Sequence, residues 1–529
     1  MSHTALPLTQ TGQFSPLFLD YMIQKEGLKP FYHVFPAPEN FGEVIRQRGF
    51  ESEKRHALHQ VLKAQYEAYD SKTIESQIDS LLDEKTFTVT TGHQLNIFSG
   101  PLYVIYKLTT TINLAKKLNE TYPDCHFVPV YWMATEDHDF AEINHFHLFG
   151  KKYTWETTQT GAVGRMDPGG ISEIVSQLTD KPAIFEKAYA THKTLAGATR
   201  YWVNELFGSQ GLICLDADHP ALKKQFAAVM QADVSDRITA KTVAGTSAKL
   251  EALGYKTQVN PRDTNLFYLD RDIRERLVND HKRFRVLNTD LSFSQAELAQ
   301  LIENQPEKLS PNVLLRPVYQ ETILPNLAYV GGPAEITYWL QLKDLFDALQ
   351  TPFPVLMPRN FALVVNAANQ KRLEKTGMAA ADLFLEENAL KRKLMEQSVA
   401  EPVSLDAERE GLDRIFDTIS HKASALDKSL EGFVGAEQQK VRTALAAIEK
   451  RLKKAEEQKQ ETGIQQLLNL KAKLFPEGGL QERTDNFLNF YLNDPDFLRE
   501  ISTRFDPFKF DFQIVSLQDS PAKEAGPKK

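Results

Sequence analysis

Between residues 85 and 365 five short apolar or β-branched runs alternate with helical patterns, and no other feature of the chain limits its fold as strongly. The runs are FTVTTG (87–92), FVPVYWMATE (127–136), GLICLDAD (211–218), NLAYVGG (326–332) and FPVLMPR (353–359). Strands separated by helices of this length build βαβ units, which set the strands side by side in a parallel sheet. Two of the joins share a signature. Gly100-Pro101 and Gly332-Pro333 each follow a strand and open a helix, and proline is favoured at a first helical position because its missing N–H would be unpaired there anyway. In the first of these helices Val104, Leu108, Ile112 and Ala115 mark a buried stripe.

Two stretches depart from the alternation and read as insertions, near 150–200 and 240–300. KKYTWETTQTGAVGRMDPGG (151–170) has no strong period and suggests an excursion over one rim of the sheet, while KTQVNPRDTNLFYLDRD (256–272) suggests a short β-hairpin followed by a basic helix. After a core spanning 1–375, the pattern changes. Leu412, Ile415, Ile419, Ala423, Leu426, Leu430 and Phe433, then Val441, Leu445, Ile448, Leu452 and Ala455, recur every three or four residues with charges between them. This is a coiled-coil pattern, predicting an antiparallel arm over 376–473 with Gly432 and Gly435 at its hinge. Such an arm cannot bury its seam alone, so a homodimer is expected. Residues 474–516 return to the core, and 517–529 are expected to be disordered.

With 529 residues the chain is too long for one simple core. Its 62 Lys and Arg against 70 Asp and Glu leave a net charge of −8, which argues against nucleic-acid binding by counterion release. No window approaches the apolar length of a membrane span, and two cysteines cannot frame a disulfide scaffold or a four-thiolate zinc site. A reducing, cytoplasmic setting is expected, with no membrane partner.

Three stretches carry groups suited to chemistry. In open parallel sheets ligands bind beyond the carboxyl ends of the strands, where a helix N-terminus offers free N–H groups to an anion. His93, Gln94, Asn96, Ser99 and Gly100 lie at such an end: Gly100 would let an anion approach, Ser99 would cap the helix and donate a hydroxyl, and His93 would donate to charge developing on a phosphate. A capped turn around a buried histidine is the alternative. Glu136, Asp137, His138 and Asp139 follow directly on another strand, where carboxylates could hold an ammonium, position Mg2+ or act as a base. A structural network or, with more distant ligands, a metal site is the alternative. In RPVYQETILPNLAYVGGPAEITYWLQLK (316–343), Gly331 and Gly332 form a second anion-ready loop, Glu335 and Tyr338 share a helix face, and Arg316 with Gln320 could close on a carboxylate or phosphate. The dinucleotide, P-loop and nucleophile-elbow motifs are missing from the sequence, which disfavours a nicotinamide dehydrogenase, a P-loop kinase and an α/β-hydrolase.

TGHQLNIFSGPLYVIYK, PVYWMATEDHDFAEIN, the 316–343 stretch, PVLMPRN and LFPEGGLQER, in that order and across nearly the whole chain, resemble the cysteine ligase family of bacillithiol biosynthesis. The resemblance implies an α/β nucleotidyltransferase-like Rossmann core with connecting-peptide insertions and a coiled-coil arm used for dimerisation. It also implies an amide bond made between the carboxyl of L-cysteine and the amine of glucosaminyl-malate. Through these motifs it adds Gly92 and Lys107 to the nucleotide-binding set and Asn144 and Arg359 to the substrate-binding set. Class I aminoacyl-tRNA synthetases, which the family is said to resemble, carry an H-x-G-H signature; this chain has only His93 there and lacks a K-M-S-K-S-like loop. A carboxylate and an amine still need an activated acyl group, so ATP, with Mg2+, is the expected co-substrate. Adenylation and acyl-phosphate formation both remain open, and similarity to the adenylating cysteine ligase of mycothiol biosynthesis favours the former, although no persuasive zinc set is present. Two competing readings are a noncatalytic nucleotide-binding scaffold of the thiol pathway and a metal-dependent hydrolase using His93, Asp137 and His138.

Overall fold

A computed structural model describes residues 3–280, 283–397 and 404–517. The chain divides into two units, a core of residues 5–363 and 479–513 and a second unit made mainly of residues 364–478. All five runs are strands of one parallel sheet in the core: β1 (Thr86–His93), β2 (His126–Met133), β3 (Ile213–Asp216), β4 (Asn326–Gly331) and β5 (Val355–Pro358). Their spatial order is β3-β2-β1-β4-β5, with every neighbouring pair parallel.

The composition of β1 shows why these runs become central strands. Residues 86–92 are all buried, as expected where helices cover both faces of a parallel sheet. The four threonines that give β1 its β-branched character would leave hydroxyls stranded there without partners. Instead Thr88 and Thr90 donate to Oδ1 of Asn326 at 3.1 and 2.8 Å, and Thr91 donates to the Val330 carbonyl at 2.7 Å, tying β1 to β4. Helix α1 (Tyr103–Thr121) crosses from β1 to β2, and Val104, Leu108, Ile112 and Ala115 are all buried. Leu114, Ala115 and Leu118 pack with Phe87, Val89, Phe127, Leu327, Val330 and Met357 from four strands.

The order places β1 at the point where the chain, having built outward through β2 and β3, crosses back to lay β4 on the opposite side. The register aligns His93 with Met133, Met133 with Asp216, and Gly331 with Pro358. The carboxyl ends of the strands therefore form one edge, split by a crevice between β1 and β4. Helices α2 (Arg316–Ile323) and α3 (Pro333–Leu340) flank β4.

The insertions correct two expectations. Residues 151–170 begin as a hairpin strand, Lys151–Thr154, paired antiparallel with His145–Leu148, and short helices follow. In the second insertion no basic helix follows the first strand. Leu266–Leu269, Arg274–Asp280, Arg283–Val286, Ser292–Phe293 and Leu309–Pro311 form an antiparallel sheet. Arginines alternate with Leu277, Phe284 and Val286, which are buried, and period two prevails over charge content.

In the second unit the arm consists of α4 (Asp406–Leu426) and α5 (Leu430–Leu474). Arg409 pairs with Glu449, Arg442 with Asp413, and Ser424 with Glu431, an antiparallel arrangement. The hinge is Asp427–Ser429, where the Ser429 N–H donates to Asp427 Oδ1 at 2.8 Å. Gly432 and Gly435 lie inside α5 instead, with open space around both. A solvent-facing helix accommodates glycine at about 1 kcal/mol, so glycine did not mark the break. Of the expected disordered tail, residues 518–529 lie outside the described residues. Among the described residues no helix is long and apolar enough to cross a membrane.

Candidate active site

A cavity of about 720 Å3 opens at the β1/β4 crevice and extends under the antiparallel insertion. Open α/β sheets bind ligands where the strand order reverses. Of the candidate residues, Gly92, His93, Gln94, Glu136, Asp137, His138, Asp139, Arg316, Gly332, Glu335, Tyr338 and Arg359 line it. The strand ends of β1, β2, β4 and β5 thus converge on one space. Asn96, Ser99, Gly100, Lys107, Asn144, Gln320 and Gly331 do not line it.

At the crevice end, burial and charge fix the roles of neighbouring groups. His93 is held down to about 3 by burial and by the nearby Lys107 ammonium, so its ring is neutral. Lys107 turns away from the cavity, donating to both carboxylate oxygens of Glu335 at 2.9 and 2.8 Å and to the Gly92 carbonyl. Glu335 also accepts from the Tyr329 hydroxyl at 2.6 Å and from the Gly332 N–H at 2.8 Å. Burial alone would raise its pKa; the Lys107 charge and these hydrogen bonds bring it down to about 2. The pair therefore locks α1 to the start of α3, a role for Lys107 different from the expected nucleotide contact.

Gln320 accepts from Arg316 Nη1 at 3.0 Å and holds the guanidinium in place. A Cβ at Gly92 would meet Arg316 Nη1 at 3.5 Å and the Tyr329 hydroxyl at 3.4 Å, ordinary contact distances, so Gly92 lies directly against both groups. The Gly331 carbonyl accepts from the Arg359 N–H at 2.9 Å, and Arg359 Nη2 pairs with buried Glu482 at 2.6 Å. After these commitments, three buried nitrogens have no hydrogen-bond partner among the described residues: His93 Nε2, Arg316 Nη2 and Arg359 Nε. Buried polar groups are rarely left so, because each lost partner costs about 1–3 kcal/mol. All three residues line the cavity, so its crevice end sets the guanidinium groups of Arg316 and Arg359 near the neutral His93 ring, a setting suited to an anion.

Ser99 and Gly100 depart from expectation. Helix α1 begins at Tyr103 without a side-chain cap, and Ser99 is buried in a 3-10 turn. Gly100 has φ +63°, and a Cβ there would meet Asn96 Cβ at 2.5 Å. Asn486 donates to the Phe98 and Gly100 carbonyls at 2.8 and 2.6 Å, while the Leu102 N–H is taken by the Asp485 carbonyl at 2.7 Å. The turn is thus held by a segment nearly 400 residues away in sequence. Asn96 donates to the Glu142 carbonyl at 2.8 Å, and Asn144 contacts His145; both are structural here.

At the other end the carboxylates are already matched by cations. Glu136 pairs with fully buried Lys223 at 2.5 Å, and burial raises its pKa against that pull. Asp137 accepts from Gln94 Nε2 at 2.7 Å and lies 3.5 Å from Arg274. Against the upward push of burial, its hydrogen bonding with His138 and the Arg274 charge hold it well below the usual carboxylate range. Arg274 also donates to His138 Nδ1 at 2.5 Å. Asp139 caps the short helix Phe140–Ile143. Among the described residues no group of three or more His, Cys, Asp or Glu side chains is placed to hold a metal. Asp137 and His138 are both engaged by Arg274.

Sequence reasoning missed Lys223, Arg274 and the further lining arginines Arg262, Arg276 and Arg483. Their only sequence signal is a scatter of cations in an acidic chain, and the carboxylates paired with Lys223 and Arg274 are far away in sequence.

The N-terminal domain model described as "Bacillithiol biosynthesis BshC, N-terminal Rossmann-like domain" matches residues 1–360, and the corresponding C-terminal coiled-coil domain model matches 362–517. A protein of Cytophaga hutchinsonii named "Putative cysteine ligase BshC" is 43% identical, over 97% of this chain and 98% of its own length. Proteins of the same name from Flavobacterium psychrophilum and Flavobacterium johnsoniae are each 40% identical, over 96% of this chain and 98% of their own lengths.

Proposed function

We propose, from the premise that this chain belongs to the bacillithiol biosynthesis BshC family, that it is a cytoplasmic ligase joining L-cysteine to glucosaminyl-malate in the last step of that pathway. The observation that carries the reading is the pair of arginines Arg316 and Arg359, each with a buried nitrogen left without a partner, beside His93 at the switch point of the sheet. Preorganised donors in a water-poor crevice suit the phosphates of ATP and the charge that develops when one is attacked. A carboxylate oxygen of cysteine attacks the α-phosphorus and pyrophosphate leaves. The sugar amine then attacks the acyl carbon, AMP leaves, and the amine proton passes to a base.

Asp137, kept ionised beside Arg274 and Gln94, is placed to orient the incoming ammonium. Glu136, whose pKa burial raises against the pull of Lys223, is the better proton acceptor. Neither carboxylate is free to build a resident metal site, so Mg2+ enters with ATP as part of the substrate. The arm supports a homodimer: Ile415, Ile419, Phe433, Ile448 and Leu452 are all more than 40% exposed within its own unit, a surface that invites a partner.

The test is product analysis by mass spectrometry after incubation with ATP, cysteine and glucosaminyl-malate. The cysteinyl amide together with AMP is expected. ADP would move the activation to an acyl phosphate, and amide formed without nucleotide consumption would overturn the assignment of the crevice to ATP.

A further inference from the structure

We propose that Arg262 and Arg276, on the antiparallel insertion, form the subsite that receives the two carboxylates of the acceptor's malyl group and thereby selects the acceptor. This rests on the ligase reading above and assigns the far end of the same cavity.

Arg276 and Arg274 are two apart on one strand, so they project to one face. Arg276 is paired across the strands with Phe267, and the Arg274 guanidinium lies 4.1 Å from the centre of that ring. All three line the cavity, as does Arg262. The difference lies in what each guanidinium already holds. Arg274 is spent on Asp137, His138, Ser310 and the Pro311 carbonyl. The Arg262 and Arg276 side chains have no hydrogen-bond or ion-pair partner among the described residues. Neighbouring acids do not compensate them: Asp263 faces Arg237 at 3.5 Å, and Glu275 accepts from Asn288 at 3.1 Å.

A continuous line of contacts leads from this end to the chemistry. Phe267 carries Arg274, Arg274 reaches Asp137, and Asp137 holds Gln94, next to His93. A ligand with an amine near Asp137 would extend its other end towards Arg262 and Arg276. The ligase reading assigns the ATP phosphates and the cysteine carboxylate that attacks them to the strand ends, which leaves the acceptor's acid as the remaining anion of the reaction. Two planar forks match two carboxylates. Arg262 is exposed and Arg276 half-buried, which fits a group held at the cavity mouth.

The experiment compares wild type with Arg262→Gln, Arg276→Gln and Arg276→Lys, using glucosaminyl-malate and methyl glucosaminide as alternative acceptors, with thermal melting as the check on folding. For glucosaminyl-malate, KM should rise roughly 10- to 100-fold in each glutamine variant, the loss of a charged hydrogen bond. Arg276→Lys should recover part of it. KM for ATP and for methyl glucosaminide should stay within about twofold. A change in the ATP KM, or an equal rise for the acceptor without malate, would overturn the subsite. Calorimetric binding of glucosaminyl-malate alone separates this from the ligase reading. If wild type binds it and the glutamine variants do not, the subsite stands even without turnover; equal binding by all refutes it.

Discussion

Replacing Lys107 by methionine keeps the reach of the side chain and removes its charge, which tests whether this lysine is structural. Its side chain is 1% exposed and that of Glu335 26%. Without the ammonium, Glu335 keeps the Tyr329 and Gly332 donors but remains a largely buried anion with no countercharge. Removing one partner of a buried pair costs about 3–5 kcal/mol. The Glu335 pKa sets the scale of all its partners together, Tyr329 and Gly332 included, net of burial. Its fall from 4.5 to about 2, at 1.36 kcal/mol per unit, amounts to about 3 kcal/mol. All four tryptophans, Trp132, Trp155, Trp202 and Trp339, lie in the core unit, so urea unfolding followed by their fluorescence reads that unit. Lys107→Met should lose about 3–5 kcal/mol, and Lys107→Met with Glu335→Gln should lose clearly less than the two single losses combined. The pH dependence has a definite sign. Because the folded pKa is depressed, this stabilisation is complete above about pH 4.5 and disappears as pH falls toward 2, and Glu335→Gln should flatten that part of the profile. A Lys107→Met loss below about 1 kcal/mol, or strict additivity, would refute the structural assignment and return Lys107 to the ligand.

Arg316→Gln should slow amide formation by roughly 10²- to 10³-fold, the effect of removing one preorganised donor, with little change in melting temperature; quenched-flow product assays measure it. His93, lowered to about 3 from 6.5, resists protonation in the folded state. Stability should therefore fall as pH drops from about 6.5 toward 3, and His93→Gln should reduce that slope in melting curves taken across the range. Static light scattering should give a dimer of the 60.0 kDa chain, and Phe433→Lys with Ile448→Lys, both at exposed positions, should give a monomer with unchanged core unfolding. A monomeric wild type at micromolar concentration would count against the arm as the dimer contact.

The five strands were legible because each is a short apolar run with an end marked by glycine, proline or charge, and burial on both faces requires such a run. That made the carboxyl edge legible too, and with it His93, Glu136–Asp139 and Gly332. What stayed hidden depended on distant partners. Ser99-Gly100-Pro101 has the local form of a helix cap, yet Asp485 and Asn486 supply the hydrogen bonds. The arm's hinge went to Asp427–Ser429 because a side-chain turn closes it, whereas exposed glycines in a long helix cost little. Nothing local in the sequence marked Arg274 and Lys223, because the fold alone brings Asp137 and Glu136 against them.

The most direct test of the central claim is a crystal structure with 5′-O-(N-cysteinylsulfamoyl)adenosine, a stable mimic of the cysteinyl adenylate. The sulfamoyl group should lie at the carboxyl ends of β1 and β4, within hydrogen-bond distance of Arg316 and Arg359 and beside His93. Binding of the analogue elsewhere on the protein, with the crevice left to water, would contradict it.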